Sequence, residues 1–382
     1  MAGGKLISTG VEFPDATTQT TSGLPLTGGA LTGAVTTTST FDGVDIATRD
    51  GVLTSTTTTA NNALPKAGGT MTGTLTGTVL NDSDGNVRSG RKNLIINGGF
   101  DVWQRGTSFS GGDEFSSDRW KKGLSGGTAT VTRQTFSVGQ TDVPFNPNYF
   151  LRCSTSIGND AGRIEQKIEG VAITSGQNIT ISFYAKGTNP GGGSFEIRLG
   201  QYFGTGGSAG IDRAASDNFT VTSSWQKFTR TITVPSISGR TLGVGNNLDV
   251  IFEQSWGIDH STAAWELDLA QVQLELGSVA TDFEHRSYGE ELALCQRYYQ
   301  TFQVSIEDHA AAAGEYQNAS IVYPVDMRTT PSKTFTGGAS SNSGTAVLFY
   351  ETTNKGFRAE IFSHAAGRFY RLGIVTTHDA EL

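Results

Sequence analysis

Apolar and polar residues alternate through most of the chain after residue 93. Ile179, Ile181, Phe183 and Ala185 are separated by Thr180, Ser182, Tyr184 and Lys186. Phe195, Ile197 and Leu199 alternate with Glu196 and Arg198, and Leu248, Val250 and Phe252 share one parity. Phe228, Ile232 and Val234 do the same within WQKFTRTITVP. A period of two between turn signals predicts half-buried strands, and a series of them predicts a β-sandwich. WELDLAQVQLELG (265–277) adds a detail. Trp265, Leu267 and Leu269 are odd, whereas Val272, Leu274 and Leu276 are even. A β-bulge at Ala270-Gln271 would absorb that slip. Helical spacing occurs in YGEELALCQRYYQ (288–300), where Leu292, Cys295 and Tyr299 share a face. Glu290 and Glu291 open it and Arg297 comes late, which suits the helix dipole. A short helix near 289–300 is expected. After it, ASIVYPVDM, AVLFYE, FRAEIF and RFYRLGIV read as strands of a second β-unit, too small to be very stable alone.

The first 92 residues follow another pattern. The chain has 36 aromatic residues, and only Phe13 and Phe41 lie in this segment. LPLTGGALTG (24–33) returns forty positions later as LPKAGGTMTG (64–73). Apolar points are sparse but regular: Leu24, Leu26, Leu31 and Val35, then Leu64, Met71, Leu75 and Val79. So little apolar area cannot offset the entropy of ordering a lone chain. The segment nevertheless holds 22 threonines, and threonine favours strands. Repeat units that cannot bury a face alone need neighbours, and two copies imply neighbours from other chains. Residues 21–92 are therefore read as a thin, intertwined oligomeric shaft, with a flexible linker as the alternative.

Bulk chemistry narrows the function classes. A net charge of −8 argues against phosphate-driven nucleic-acid binding. Cys153 and Cys295 form no metal or redox spacing and read as small buried residues. MAGGKLISTG lacks the apolar stretch of a secretory signal, so folding in a cytoplasm is expected. No run reaches the length of a membrane-spanning helix, so no membrane insertion is expected.

Several stretches resemble bacteriophage tail fibre and receptor-binding proteins. LPKAGGTMTG is similar to the repeat of phage fibre shafts, and GVEFPDATTQTT (10–21) to a segment near the start of such fibres. NLIINGGFDVWQRG (93–106), with DRW at 118–120, is similar to the opening of their carbohydrate-binding-like sandwich. LAQVQLELGSVATDFEHRSYGEELALCQRYYQ (269–300) resembles the region closing that sandwich, and YPVDMRTTPSKT (323–334) a strand of the C-terminal unit. The resemblance implies a mainly β chain in four parts. Residues 1–20 would be a virion-attachment segment and 21–92 a homotrimeric shaft. Residues 93–287 would be a jelly-roll-like sandwich, and 288–382 a connecting helix with a smaller β-domain. It also implies a virion component made in the host cytoplasm. Tail, adaptor or baseplate proteins would hold its N-terminus, and a host-surface glycan would meet the other end.

Sugar recognition uses aromatic rings that stack on pyranose faces, with polar groups around them. Tyr202 and Trp256 flank loops (GQYFGTGGSAG and EQSWGIDHST) and are the first candidates. Trp225 lies on the face opposite Phe228 and is the next. Trp103 and Trp120, in the entry region, read first as packing residues, with Trp120 retained among the ring candidates. Trp265 is in phase with the core. Sandwiches of this shape can carry a structural Ca²⁺, for which Asp101 and Asp268 are the candidate carboxylates; no other cofactor is implied. Enzyme signals are poor. Two GxSxG matches fall in Gly-rich sequence outside any strand-to-helix elbow, and the five histidines show no metal-ligand spacing. Glu253, Asp259 and Glu266, near Trp256, keep a polysaccharide-cleaving fibre as the alternative to a non-enzymatic adhesin, beside a purely structural connector.

Overall fold

The computed structural model describes three strands within residues 5–19, residues 51–56, and residues 92–382 apart from 125–128, 157–161, 190–192, 255–263, 345–346 and 351. Contacts divide the chain into two compact units, Met1–Val87 and Arg88–Leu382. In the first, strands β1 (Lys5–Ile7), β2 (Gly10–Glu12) and β3 (Thr18–Gln19) form a small antiparallel sheet. Residues 51–56 form a helical turn, α1, in which the Thr56 hydroxyl donates to the Val52 carbonyl at 2.8 Å. That bond to the preceding turn lets a threonine sit in a helix despite its strand preference. Both Gly-Thr phrases lie outside the described residues, as does the rest of the expected shaft (21–92) apart from α1 and residue 92.

The second unit is mainly β, and all its strand pairs are antiparallel. Its first part is a sandwich of two six-stranded sheets. The first sheet runs β13 (Gln226–Thr233), β10 (Asn178–Thr188), β15 (Glu266–Leu276), β8 (Tyr149–Thr155), β7 (Ala129–Thr135), β4 (Ser108–Phe109). The second runs β12 (Ile211–Phe219), β11 (Phe195–Tyr202), β14 (Asn247–Gln254), β9 (Gly162–Glu169), β6 (Lys121–Leu124), β5 (Glu114–Phe115). The alternating apolar residues of β10, β11 and β14 meet between the sheets, where their rings pack edge to face. Phe183 lies 5.1 Å from Phe252, and Phe195 lies 5.4 Å from Trp265. Each fully buried ring contributes about 2–3 kcal/mol of transfer free energy. The parity slip in β15 is a bulge. Register with β10 shifts between Ser182 and Tyr184, and Gln271 takes a φ of 49°. Both cysteines are buried.

Helix α2 (Tyr288–Gln296) begins with a capping box. The Glu290 amide donates to the Ser287 hydroxyl, and the Ser287 amide donates to the Glu290 carboxylate. It ends four residues before the sequence pattern suggested. Tyr299, expected on the helix face, instead opens β16 (Tyr299–Ala310) and pairs with Asp379. Aromatic residues favour strands, and the Arg105 guanidinium stacks 3.6 Å from the Tyr299 ring, which fixes it there.

The remaining strands build two smaller sheets. One joins β16 to β22 (Gly367–Asp379), which also pairs with β18 (Ser332–Thr336) and β19 (Ala339–Ser341). The other runs β17 (Tyr316–Val322), β21 (Gly356–Phe362), β20 (Leu348–Tyr350). Val304, Ile306, Phe357, Ile361 and Phe369 form their shared core. This part docks on the sandwich through buried ions. Arg119, fully buried, pairs with Glu381 and stacks 3.5 Å from the Tyr298 ring. Arg105 lies 3.2 Å from each of Asp118, Asp379 and Glu381.

Candidate functional site

The outer face of the second sheet is unusual for a sandwich. Outward residues of an antiparallel sheet normally meet water. Here Glu165, Glu196, Arg198 and Asp249 all face outward, yet none is more than 5% exposed. Alternation explains the direction: their neighbours Ile164, Ile197, Leu199 and Val250 belong to the inter-sheet core. Mutual packing of long charged side chains explains the burial.

Register arranges this face in rows. Lys167 (β9) lies opposite Asp249 (β14), which lies opposite Gly200 (β11). The next row is Glu169, Asn247 and Tyr202. A Cβ at Gly200 would fall 2.7 Å from Cε2 of Tyr202, and one at Gly210 would fall 2.9 Å from its Cδ1. Two glycines thus make the slot that holds the Tyr202 ring. The ring is also held at its tip, where its hydroxyl donates to Asp212 Oδ1 at 2.6 Å. Burial and that carboxylate push the phenol pKa up, so it remains a donor.

Tyr202 and Asn247 form a wall of a cleft of about 590 Å³. Lys167, the 203–205 loop and Val244-Gly245 extend this wall, and Arg328 and Thr329 from the C-terminal part face it. The cleft therefore exists only because the two parts of the unit are docked. Asp249 on the adjoining face is strongly perturbed. Burial, then the neighbouring Glu165, push its carboxyl up to about 7. Its Oδ1 has no hydrogen-bond partner, nor have Asn247 Oδ1 and Glu196 Oε2.

The sequence candidates separate clearly. Tyr202 stands at the cleft. Trp120 cannot meet a ligand, because it is fully buried and its indole N–H donates to the Asn97 carbonyl at 3.0 Å. Trp225 sits on the outside of the other sheet, half-buried against Phe136 and Phe150 with the Lys186 ammonium 5.1 Å above it. Trp256 lies outside the described residues. Asp101 and Asp268 do not form a cation site. Both oxygens of Asp268 accept from Arg152, at 2.7 and 2.8 Å, so they are not offered to a metal. Asp101 is pushed up to about 6 by burial and by Glu291. Among the described residues, no three His, Cys, Asp or Glu groups converge as metal ligands. Among them also, no helix is long and apolar enough to cross a membrane. Sequence reasoning missed Asn247 and Asp249. Their signal was polar residues alternating with Leu248 and Val250 beside an in-strand glycine.

No protein-family model matches the chain, and no curated protein matches it. Solved structures give partial matches. One is the enzymatically active domain of tailspike protein 4 of bacteriophage CBA120, at 14% identity and a TM-score of 0.32 over 49% of this chain and 22% of that one. The chain thus spans about a fifth of that domain's length. A CBM4 structure matches at 20% identity and a TM-score of 0.28 over 42% of this chain and 97% of that one. A cyclase from Fischerella sp. TAU matches at 14% identity and a TM-score of 0.33 over 50% and 98%.

Proposed function

We propose that this chain is a glycan-binding adhesin of the phage tail fibre kind, and that the Tyr202 cleft holds the host-surface sugar. One observation carries the reading. An aromatic ring held rigid in a glycine slot walls an open cleft that Lys167, Ser208 and Asn247 also line. A flat ring with convergent polar groups is what a pyranose requires. The resemblance of the shaft phrases and of NLIINGGFDVWQRG to phage fibres supplies the biological setting. In that setting residues 1–20 join the tail and residues 21–92 tie three chains together. Each site is weak because sugars are polar and small, and three linked sites on several fibres raise avidity without new contacts.

Tyr202→Ala is the test. The full chain, immobilised and probed with purified host-surface polysaccharide, should lose about five- to thirteenfold in affinity, since a ring contact is worth roughly 1–1.5 kcal/mol. Unchanged affinity in a folded variant sinks the reading. Light scattering on the same preparation should give the mass of three chains. A polysaccharide-cleaving fibre is the second reading, favoured by Asp249, whose carboxyl sits near 7 beside Glu165. Shortened chains after incubation with the polysaccharide would select it.

A further inference from the structure

We infer that the cleft takes a saccharide bearing an anionic group, a carboxylate or a phosphate, and that Lys167 and Arg328 hold that group. This rests on the glycan-binding reading and adds the ligand class. Lys167 from β9 and Arg328 from the C-terminal part both line the cleft, and among the described residues none of those lining it is Asp or Glu. The whole chain has a net charge of −8, so the sign of this lining runs against the bulk of the charge. A concave wall of one sign concentrates ligands of the other. Both cations keep unused donors. An ammonium has three, and that of Lys167 uses one, on the main-chain oxygen of Leu382 at 3.2 Å. A guanidinium has five. Arg328 Nε donates to the Ala380 carbonyl and Nη2 to the Glu381 carbonyl, each at 2.8 Å. Five less two leaves three, both on Nη1 and one on Nη2. These form the end of the fork, which grips a carboxylate or phosphate through two parallel bonds. Nη1 makes no hydrogen bond among the described residues and is not buried. The two carbonyl bonds thus fix the guanidinium without neutralising it.

The neighbouring carboxylates do not cancel these charges. Glu169 lies 3.8 Å from Arg328 Nε, but it also pairs with Arg297 at 3.0 Å, so two guanidiniums share one carboxylate. Asp249 faces Lys167 across the strands without lining the cleft, and burial first and Glu165 second push its carboxyl up to about 7. Near neutral pH it is therefore only partly ionised. The sugar part of the ligand has its own contacts. The Tyr202 ring offers a flat face, and Thr205, Ser208 and Thr329 bring hydroxyls to the same lining. The Ser208 hydroxyl accepts from the Thr241 amide at 2.9 Å, which leaves its proton for a ligand oxygen. Ring, hydroxyls and cations in one cleft match the flat face, polar edge and charged substituent of an acidic sugar.

The experiment compares glycans that differ only in the charged group, on the full-length protein. An array of uronate-containing, sialylated and phosphorylated oligosaccharides is printed, each beside a counterpart with its carboxyl reduced to an alcohol or its phosphate removed. In at least one pair the anionic member should bind about tenfold tighter or more, and the pair that shows it tells carboxylate from phosphate. Raising the salt from about 50 to about 500 mM should weaken that binding through screening. Lys167→Met and Arg328→Met should each cut the preference by about threefold or more with the fold retained by circular dichroism, and Arg328→Lys, which keeps a charge but not the fork, should cut it less. Lys167→Met decides the matter if Arg328→Met does not fold. Lys227→Met, which removes an exposed lysine on the other sheet, should keep the preference. A smaller preference in the wild type, or anionic binding that salt leaves unchanged, overturns the ligand class and leaves the adhesin reading standing. A preference that survives in the folded variants overturns the role of the two cations. No binding to any glycan overturns both readings.

Discussion

Arg119→Met tests how the cleft's two walls are joined. The Arg119 side chain is 1% exposed and that of its partner Glu381 is 3% exposed. The guanidinium also donates to the Lys167 carbonyl and stacks on Tyr298. Methionine keeps most of the volume and removes all three interactions. Breaking a buried ion pair costs about 3–5 kcal/mol, chiefly because the surviving charge is left without a partner. Glu381 retains Arg105 at 3.2 Å, which places this case near the lower end, at about 3 kcal/mol. A loss of that size lowers the melting temperature by roughly 6–12 °C in a domain of this scale. Urea denaturation of the full chain, followed by tryptophan fluorescence, measures it. The double variant Arg119→Met/Glu381→Leu leaves neither charge stranded, so it should be milder than the sum of the singles by at least about 1 kcal/mol. If the single variant costs under about 1 kcal/mol, or if the two changes add within about 0.5 kcal/mol, the buried clamp is not what docks the two parts.

Two further outcomes are expected. Burial, with Lys333 nearby, pushes the His378 imidazole down to about 4. Between pH 6.5 and about 4 the unfolded chain takes up a proton at this residue that the folded chain refuses, so stability should fall as pH drops through that window. Melting temperatures at pH 7 and pH 4.5 should differ less for His378→Gln than for the wild type; equal differences would contradict the assignment. Gly98→Ala sets a methyl carbon 2.0 Å from the Val272 carbonyl oxygen, which should cost about 3 kcal/mol or more by thermal unfolding, and a loss under about 1 kcal/mol would show that the backbone there yields easily.

Strand alternation was legible because it answers to one requirement, a dry side and a wet side. It located β10, β11 and β14, and even the Gln271 bulge, because a missed parity has one cheap solution. The early end of α2 was not legible. It depends on Tyr299 pairing with Asp379 and stacking on Arg105, partners eighty and 194 residues away in sequence. Tryptophan positions misled for a related reason. Trp120 was read first as a packing residue yet kept among the ring candidates, and only the assembled sheets bury it under Phe252 at 6.3 Å. Asn247 and Asp249 were in view as the polar half of an alternation, but a polar outward residue is the ordinary case. Only their burial without a donor makes them candidates, and burial on an outer face is set by neighbours on three other strands.

The family-like motifs and the candidate site divide the work differently from what motif similarity suggests. Asn97 in NGGF donates to the Val102 carbonyl, the Ser117 hydroxyl and the Asp118 carbonyl at 2.8, 2.8 and 3.0 Å. Its own amide donates to Glu291 of α2 at 2.5 Å. Asp118, Arg119 and Trp120, the DRW triplet, then fix Arg105, Glu381 and the Asn97 carbonyl respectively. These residues do not line the cleft, though Arg119 holds the Lys167 carbonyl behind its wall, and they join sandwich, helix and C-terminal strands into the unit whose meeting line is the cleft. The groups lining the cleft on the sandwich side lie instead on β9, β11, β14 and the loops between Tyr202 and Asn247. Substitutions on those strands can reshape the cleft while the latch holds its walls at the same separation. NGGF and DRW thus fix a scaffold whose sheet face is free to vary separately.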